Sequence, residues 1–221
     1  MPVAAVPVLT VLLATLLGAA IGWGPLVGWA DRSIHRPLAE RMPLRRLRVW
    51  SAVATAVAFG LLAWRFGLHP VLPALLALAA AGVVLSIVDL TEHRLPNAVM
   101  LPTLIALAVL LVVASAVSGE WMSLLWALAG CAGMFALYLV LALISPSAMG
   151  MGDVKFAAPL GLVLGWFGWT VWFAGVSAGF VIGGIVSLIA LATRRVTLRG
   201  SIPFGPSMLA GAIVALLVFG A

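Results

Sequence analysis

Long apolar stretches alternate with short polar interruptions along the chain. A helix that crosses a bilayer needs about 20 apolar residues, and charges, prolines and glycines divide the sequence into segments close to that length. The pattern predicts an all-α fold, a polytopic transmembrane helix bundle with about eight spans. The predicted spans are residues 3–28, 49–66, 71–88, 98–117, 121–144, 156–168, 170–192 and 204–220.

Two of these predictions need a comment. The segment from Met1 to Gly28 has no basic residue in front of its apolar run, unlike a secretory signal peptide, so we interpret it as the first span. The run from Phe156 to Ala192 is too long for one helix, and the glycines of Gly165–Trp169 favour a turn there. We expect Trp166, Trp169 and Trp172 to lie in the membrane interface.

Positive charge predicts the orientation of the bundle. Of the 12 lysines and arginines, only Arg65 falls outside the loops that leave odd-numbered spans. Because basic loops stay in the cytoplasm, both termini are expected outside. The chain then divides into residues 1–48, the first transmembrane helix with a short basic cytoplasmic loop, and residues 49–221, a membrane-embedded core.

Composition supports a membrane protein. The 221 residues are 65% hydrophobic and 8% charged, whereas soluble domains carry roughly 25% charged residues. The net charge of +6 is explained by the basic loops, so no nucleic-acid partner is expected. Cys131 is the single cysteine, which excludes a disulfide within the chain and a cysteine-based zinc site. No metal or cofactor is expected.

Two aspartates carry the candidate chemistry. Asp89 and Asp153 each lie where an apolar segment meets a loop, and the predicted topology places both on the cytoplasmic side. Carboxylates in such places are costly and indicate a functional site, and a carboxylate pair can split a peptide bond. The alternatives are structural. Asp89 can pair with Arg94 or His93, or accept backbone N–H groups in the turn, and Asp153 can cap the next helix.

The second aspartate lies in Gly150-Met151-Gly152-Asp153-Val154-Lys155. Its glycines permit positive φ and a close approach of a neighbouring helix or an extended substrate. Lys155 can balance charge or stabilise one ionised aspartate. A lone Gly-x-Gly-Asp is weak support, since an ordinary helix start has the same composition.

A third segment, Pro203-Phe204-Gly205-Pro206, leads into the last predicted span. Two prolines cannot continue a helix interior, so we expect an extended, partly rigid entry that forms an edge of the site. An extended substrate could pair with free backbone groups there. The structural alternative is a helix start with proline in its first turn.

Together these segments resemble the type IV prepilin peptidases, membrane aspartic proteases with a Gly-x-Gly-Asp motif. The resemblance rests on Ile87-Val88-Asp89 with Leu95-Pro96, on Gly150–Phe156 and on Ile202–Pro206, and it covers about residues 71–220. It implies that Asp89 and Asp153 are the catalytic pair and that residues 49–221 form an aspartic peptidase core. The residues expected to bind substrate or shape the site are Gly150, Gly152, Lys155, Pro203, Phe204, Gly205 and Pro206.

The resemblance also implies the reaction. A prepilin or pseudopilin would lose its short basic leader, cut after a glycine, at the cytoplasmic boundary of the bacterial plasma membrane. Longer relatives carry a cytoplasmic insert, often with Cys-x-x-Cys pairs that bind zinc, and they methylate the new N-terminus with S-adenosylmethionine. The corresponding loop here, Ala30–Val49, is short and has no cysteine, which argues against N-methylation.

Two other classes of function remain open on the residues alone. A proton-coupled membrane carrier could use the same carboxylates in a relay, with helices broken by glycine and proline lining its path. A scaffold subunit could use its glycines for packing, but the two aspartates would then have no explanation. No prediction of oligomeric state follows from the sequence.

Overall fold

The structure, a computed structural model, describes residues 8–35, 37–38, 43–92, 94–145, 149–193 and 203–220. These residues form nine α-helices, and no β-strand occurs among them, so the all-α prediction is confirmed. The helices are α1 (Val8–Trp23), α2 (Pro25–Arg32), α3 (Leu44–Phe66), α4 (Leu72–Glu92), α5 (Asn97–Ser118), α6 (Trp121–Ile144), α7 (Met151–Trp166), α8 (Trp169–Ala192) and α9 (Gly205–Phe219).

The predicted spans correspond closely to these helices. The first predicted span is divided into α1 and α2 where Pro25 begins a new helix, a position at which a missing N–H costs little. Six helical segments of the described chain are long and apolar enough to cross a membrane, which makes the chain a multi-pass membrane protein. Helices α7 and α9 have 16 and 15 residues, so eight full spans are not confirmed. The outside location of both termini stays a prediction.

Helix α7 is enclosed by its neighbours. Every residue from Phe156 to Trp166 is buried, and α7 contacts α4, α5, α6, α8 and α9. A helix surrounded by protein does not need the full length that lipid exposure requires, which accounts for its short span. The predicted turn after α7 is confirmed, and it uses Gly168 at φ 90°, a conformation that favours glycine.

Helices α6 and α7 run antiparallel at very close range. A side chain added at Gly130 would collide with the backbone of Gly161, and one added at Gly161 would collide with Gly130. Small residues allow this kind of backbone approach between membrane helices. The pair is supported by the indole Nε1 of Trp172, which donates to the Gly130 carbonyl at 3.0 Å.

The tryptophan prediction is corrected by this packing. Trp166 and Trp172 are 4% and 5% exposed, so they are core residues between helices rather than interfacial anchors. Trp169, at 41% exposed, is the one of the three that is open to the surroundings. Gly130 leaves room for the Trp172 ring, and hydrophobic periodicity in the sequence does not reveal such a contact.

Some predictions fall on parts of the chain that the structure does not describe. They concern the segment before Val8, the loop positions Arg36 and Arg41, the residue His93, and the stretch 194–202 with its three arginines. The division at residue 48 is likewise not tested, and it stays a prediction.

Candidate active site

Asp89 lies in the last turn of α4, which continues to Glu92 rather than ending at the aspartate. The residue is 5% exposed, and its Oδ2 accepts a hydrogen bond from the backbone N–H of Gly205 at 3.0 Å. Gly205 is the first residue of α9, where N–H groups have no acceptor within their own helix. The positive end of α9 therefore stabilises negative charge on Asp89.

The absence of a side chain at Gly205 is required by this contact. A Cβ built there would lie 2.9 Å from Asp89 Oδ2, closer than a carbon and a carboxylate oxygen tolerate. Glycine is therefore needed at this position for the close approach of α9 to Asp89.

Asp153 lies in the first turn of α7 and is half-buried. Its carboxyl interacts with the backbone N–H of Gly150, and the negative charge of Asp89 acts on it. Helices α4, α7 and α9 contact one another, with the end of α4 beside the beginnings of α7 and α9. The structure thus brings the two predicted aspartates to one end of the bundle.

The glycines of the Gly-x-Gly-Asp motif have different neighbours. A Cβ at Gly152 would lie 3.1 Å from the Cβ of Leu95, so Gly152 lets α7 begin directly against the segment that precedes α5. A Cβ at Gly150 would make only an ordinary contact with Asp153 Oδ2, at 3.6 Å. Neither glycine uses the positive φ that it permits, since the described glycines with positive φ are Gly67, Gly119 and Gly168.

Lys155 is exposed and directed toward α5. Its Nζ donates to Asn97 Oδ1 at 3.0 Å, which ties the first turns of α5 and α7 together. Its expected effect on an ionised aspartate stays a prediction.

The segment before α9 agrees with the prediction in part. Phe204 is the N-terminal cap of α9, and Pro206 lies in the first turn, where proline is well tolerated. The backbone of Phe204 is already helical at φ −97° and ψ −22°, so an extended entry is wrong at this residue. Pro203 precedes it and is half-buried.

A polar cluster beside the site was not predicted from the sequence. The Glu92 side chain is only 6% exposed. It accepts the backbone N–H of His35 at 2.8 Å and the Nε–H of Arg94 at 2.8 Å. Arg94, considered from sequence as a partner of Asp89, binds Glu92. The sequence gives no signal for the long-range contact with His35.

Tyr138 is a second residue that sequence reasoning passed over. It lies on α6, and its ring stacks on Phe180 with centroids 5.6 Å apart. Its hydroxyl is buried and has no hydrogen-bond partner among the described residues. The sequence offered one signal for this residue, its rarity, since it is the only tyrosine in the chain. Within the described ranges, no group of three or more metal-ligating side chains lies together.

Comparison with known families agrees with this geometry. A sequence model of the type IV leader peptidase family matches residues 76–188, which is about half of the chain and includes both aspartates. The chain belongs to the type IV leader peptidase family. The match ends before Gly205, so the contact between α9 and Asp89 is an observation of the structure alone.

Curated members of the family are similar over most of the chain. A protein of Stutzerimonas stutzeri is 27% identical over 87% of this chain and 65% of its own length. One of Burkholderia pseudomallei is 33% identical over 86% and 58%, and one of Bacillus subtilis is 28% identical over 75% and 63%. Each is named a prepilin leader peptidase/N-methyltransferase. The chain spans less than two thirds of the length of these relatives, and no solved structure is significantly similar.

The names of these leader peptidase relatives bear on one expectation. The short loop without cysteine argued against N-methylation, yet the matched relatives are named for that activity as well. The doubt about methylation is therefore not supported.

Proposed function

We propose that the protein is a membrane aspartic endopeptidase that removes the short leader of type IV prepilin-like proteins. The observation that carries this proposal is that Asp89 and Asp153 lie at the same end of the bundle, near enough to interact electrostatically, in a member of the type IV leader peptidase family. Positive charge in the loops at that end supports a site at the cytoplasmic face of the bacterial plasma membrane.

The two carboxyl groups divide the chemistry between them. Two neighbouring carboxylates cannot both carry charge cheaply. The N–H of Gly205, at 3.0 Å from Asp89, is a donor that supports the charged form of that residue. We assign Asp89 as the base and Asp153 as the proton donor in the resting pair.

The reaction then proceeds through a tetrahedral intermediate. Asp89 takes a proton from a water molecule while the water oxygen attacks the carbonyl carbon, and Asp153 gives its proton to the carbonyl oxygen. When the carbon–nitrogen bond breaks, the proton on Asp89 passes to the leaving nitrogen. Asp153 regains its proton from the hydroxyl of the intermediate as the carbonyl re-forms, so the pair returns to its starting state.

The position of the site suits a substrate with a polar leader and an apolar helix. Asp89 and Asp153 are at helix ends rather than midway along α4 and α7. A substrate helix could lie beside the bundle with its leader in the cytoplasm and the scissile bond at the boundary. The same position disfavours a proton-coupled carrier, whose binding carboxylates lie near the bilayer midplane.

The test is peptide cleavage by the purified protein in detergent. Asp89→Asn and Asp153→Asn should each reduce turnover of a prepilin-like peptide by at least about a hundredfold, because each removes one half of the acid–base pair. Glu120→Gln is the matched control, since Glu120 lies between α5 and α6 with its side chain 40% exposed. Near-normal turnover in either aspartate variant would refute the pairing.

The same assay separates the other activities. Mass spectrometry of a co-expressed pilin reports leader loss and, when S-adenosylmethionine is supplied, any methyl group on the new N-terminus. A carrier would instead show substrate-dependent proton flux in vesicles and leave the pilin intact.

A further inference from the structure

Tyr138 has an unusual environment for a membrane helix residue. Its side chain is fully buried, and its hydroxyl has no hydrogen-bond partner among the described residues. Buried polar groups nearly always have a partner, and an exception in a native structure requires an explanation. The position of Tyr138 relative to the aspartate pair supplies one.

The packing of α6 on α7 fixes the level at which Tyr138 lies. Gly130 of α6 and Gly161 of α7 face each other at backbone contact, and the two helices run antiparallel. Moving about two turns along α6 from Gly130 reaches Tyr138, and moving the same number of residues back along α7 from Gly161 reaches Asp153. The register therefore places Tyr138 at the level of Asp153.

Aromatic contacts hold the ring in place at that level. Tyr138 stacks on Phe180 of α8, at 5.6 Å and an interplanar angle of 23°, and its centroid lies 6.4 Å from that of Phe204. Phe204 directly precedes Gly205, whose N–H binds Asp89. The phenol ring is thus packed between α8 and the beginning of α9. Asp153 is near enough for its ionised form to interact electrostatically with the hydroxyl.

We propose that Tyr138 is a positioning residue of the proteolytic site, whose hydroxyl donates a hydrogen bond to the Asp153 carboxylate formed when Asp153 gives its proton to the substrate carbonyl. The inference rests on the proposed peptidase function. A phenol hydroxyl can donate to a carboxylate and accept from a carboxylic acid, so one side chain can serve both protonation states of Asp153. A donor for charge that develops during the reaction accelerates the chemical step and leaves substrate binding largely unchanged.

A hydroxyl deletion that keeps the ring tests this role. Tyr138→Phe retains the stacking on Phe180 and should lower kcat by roughly tenfold to a hundredfold, with KM within about twofold, as expected for loss of one donor to developing charge. The matched control is Thr55→Val, which removes a buried hydroxyl whose hydrogen bond among the described residues lies within α3, to Ser51 O at 2.7 Å. That control should retain normal kcat. Circular dichroism and thermal unfolding in detergent verify the fold of both variants.

A spectroscopic measurement reports the contact without activity. Because Tyr138 is the only tyrosine, protein labelled with ¹³Cζ-tyrosine gives a single phenol signal. That signal should shift in Asp153→Asn, because an amide replaces the carboxyl group that the hydroxyl faces, and it should shift less in Asp89→Asn and not at all in Thr55→Val.

The outcomes distinguish the two proposals. If the aspartate variants are inactive but Tyr138→Phe keeps wild-type kcat, the role of Tyr138 is refuted and the peptidase function stands. The same holds if the phenol signal is unchanged in Asp153→Asn. If the wild-type protein cuts no prepilin-like peptide, the peptidase function is refuted and the positioning role falls with it. Low kcat in Tyr138→Phe together with a shifted signal in Asp153→Asn supports the role of Tyr138.

Discussion

Gly205→Ala is a small substitution that should damage the site strongly. The added Cβ would lie 2.9 Å from Asp89 Oδ2, 3.6 Å from its Cγ and 3.8 Å from its Cβ. At the first distance the Cβ and the carboxylate oxygen overlap sterically, so the Asp89 carboxylate or the start of α9 must move. Either movement lengthens or breaks the 3.0 Å hydrogen bond from the Gly205 N–H.

The magnitude follows from that bond. A hydrogen bond to a charged group contributes about 1.5–3 kcal/mol, and about 1.4 kcal/mol corresponds to a tenfold change in rate. Because the bond favours the state in which Asp89 is the charged member of the pair, its loss lowers the fraction of protein in that state, and kcat with it, by roughly tenfold to a hundredfold. The fold itself should survive, because alanine favours a helix more than glycine does.

The assay is kcat for a prepilin-like peptide at saturating concentration, with helix content measured by circular dichroism. Gly184→Ala is the matched control. Gly184 is a helical glycine of α8 with open space around the position of a Cβ, so kcat should not change. A Gly205→Ala protein with kcat within about twofold of wild type would refute the reasoning, because the collision would then have no consequence at Asp89.

Two further predictions concern stability. Glu92→Gln removes the charge that binds Arg94 and should lower the thermal unfolding midpoint in detergent by an amount equivalent to about 1 kcal/mol. The control Glu120→Gln, whose His69 partner lies at 3.7 Å on an exposed surface, should leave the midpoint unchanged. Equal midpoints for the two variants would show that the Glu92 cluster does not stabilise the fold. Gly161→Ala places a Cβ against the Gly130 backbone and should abolish a monodisperse peak in size-exclusion chromatography through overpacking. Gly133→Ala, whose nearest neighbour is the Trp172 ring at 3.7 Å, should retain that peak, and a normal peak for Gly161→Ala would contradict the close packing of α6 on α7.

Hydropathy was enough to predict nearly all of the helices. The predicted span 121–144 coincides with α6, and 170–192 differs from α8 by one residue at its start. Lipid-exposed helices must be apolar and long, so their sequence reports their location directly. The predicted start at residue 156 was five residues late for α7, because the polar Gly-x-Gly-Asp turn was taken as a loop, although it is helical from Met151 onward.

The site was predictable only where a residue is costly in itself. Asp89 and Asp153 could be selected because a carboxylate next to a membrane span needs a reason. Gly205 was expected in a segment at the edge of the site, but its contact with Asp89 could not be predicted. The contact of Gly205 with Asp89 and that of His35 with Glu92 join positions far apart in the chain, and their local sequence is the same as that of ordinary helix starts and loops. Tyr138 was overlooked because an aromatic residue in an apolar helix is expected in any core.

The three helix ends explain why the site depends on glycine. Asp89 lies in the last turn of α4, where the helix dipole disfavours negative charge, so it needs a donor from another helix. The N-terminus of α9 provides that donor, and α7 begins with its own N-terminus beside Asp153. Both helix N-termini can pack this closely only where no side chain intervenes. A Cβ at Gly205 would press on Asp89, and a Cβ at Gly152 would press on Leu95. The charge on the pair and the close packing around it are therefore two consequences of one arrangement. A variant that pushes α9 away from α4 should lower the fraction of protein in which Asp89 is the charged member of the pair, even when both aspartates remain.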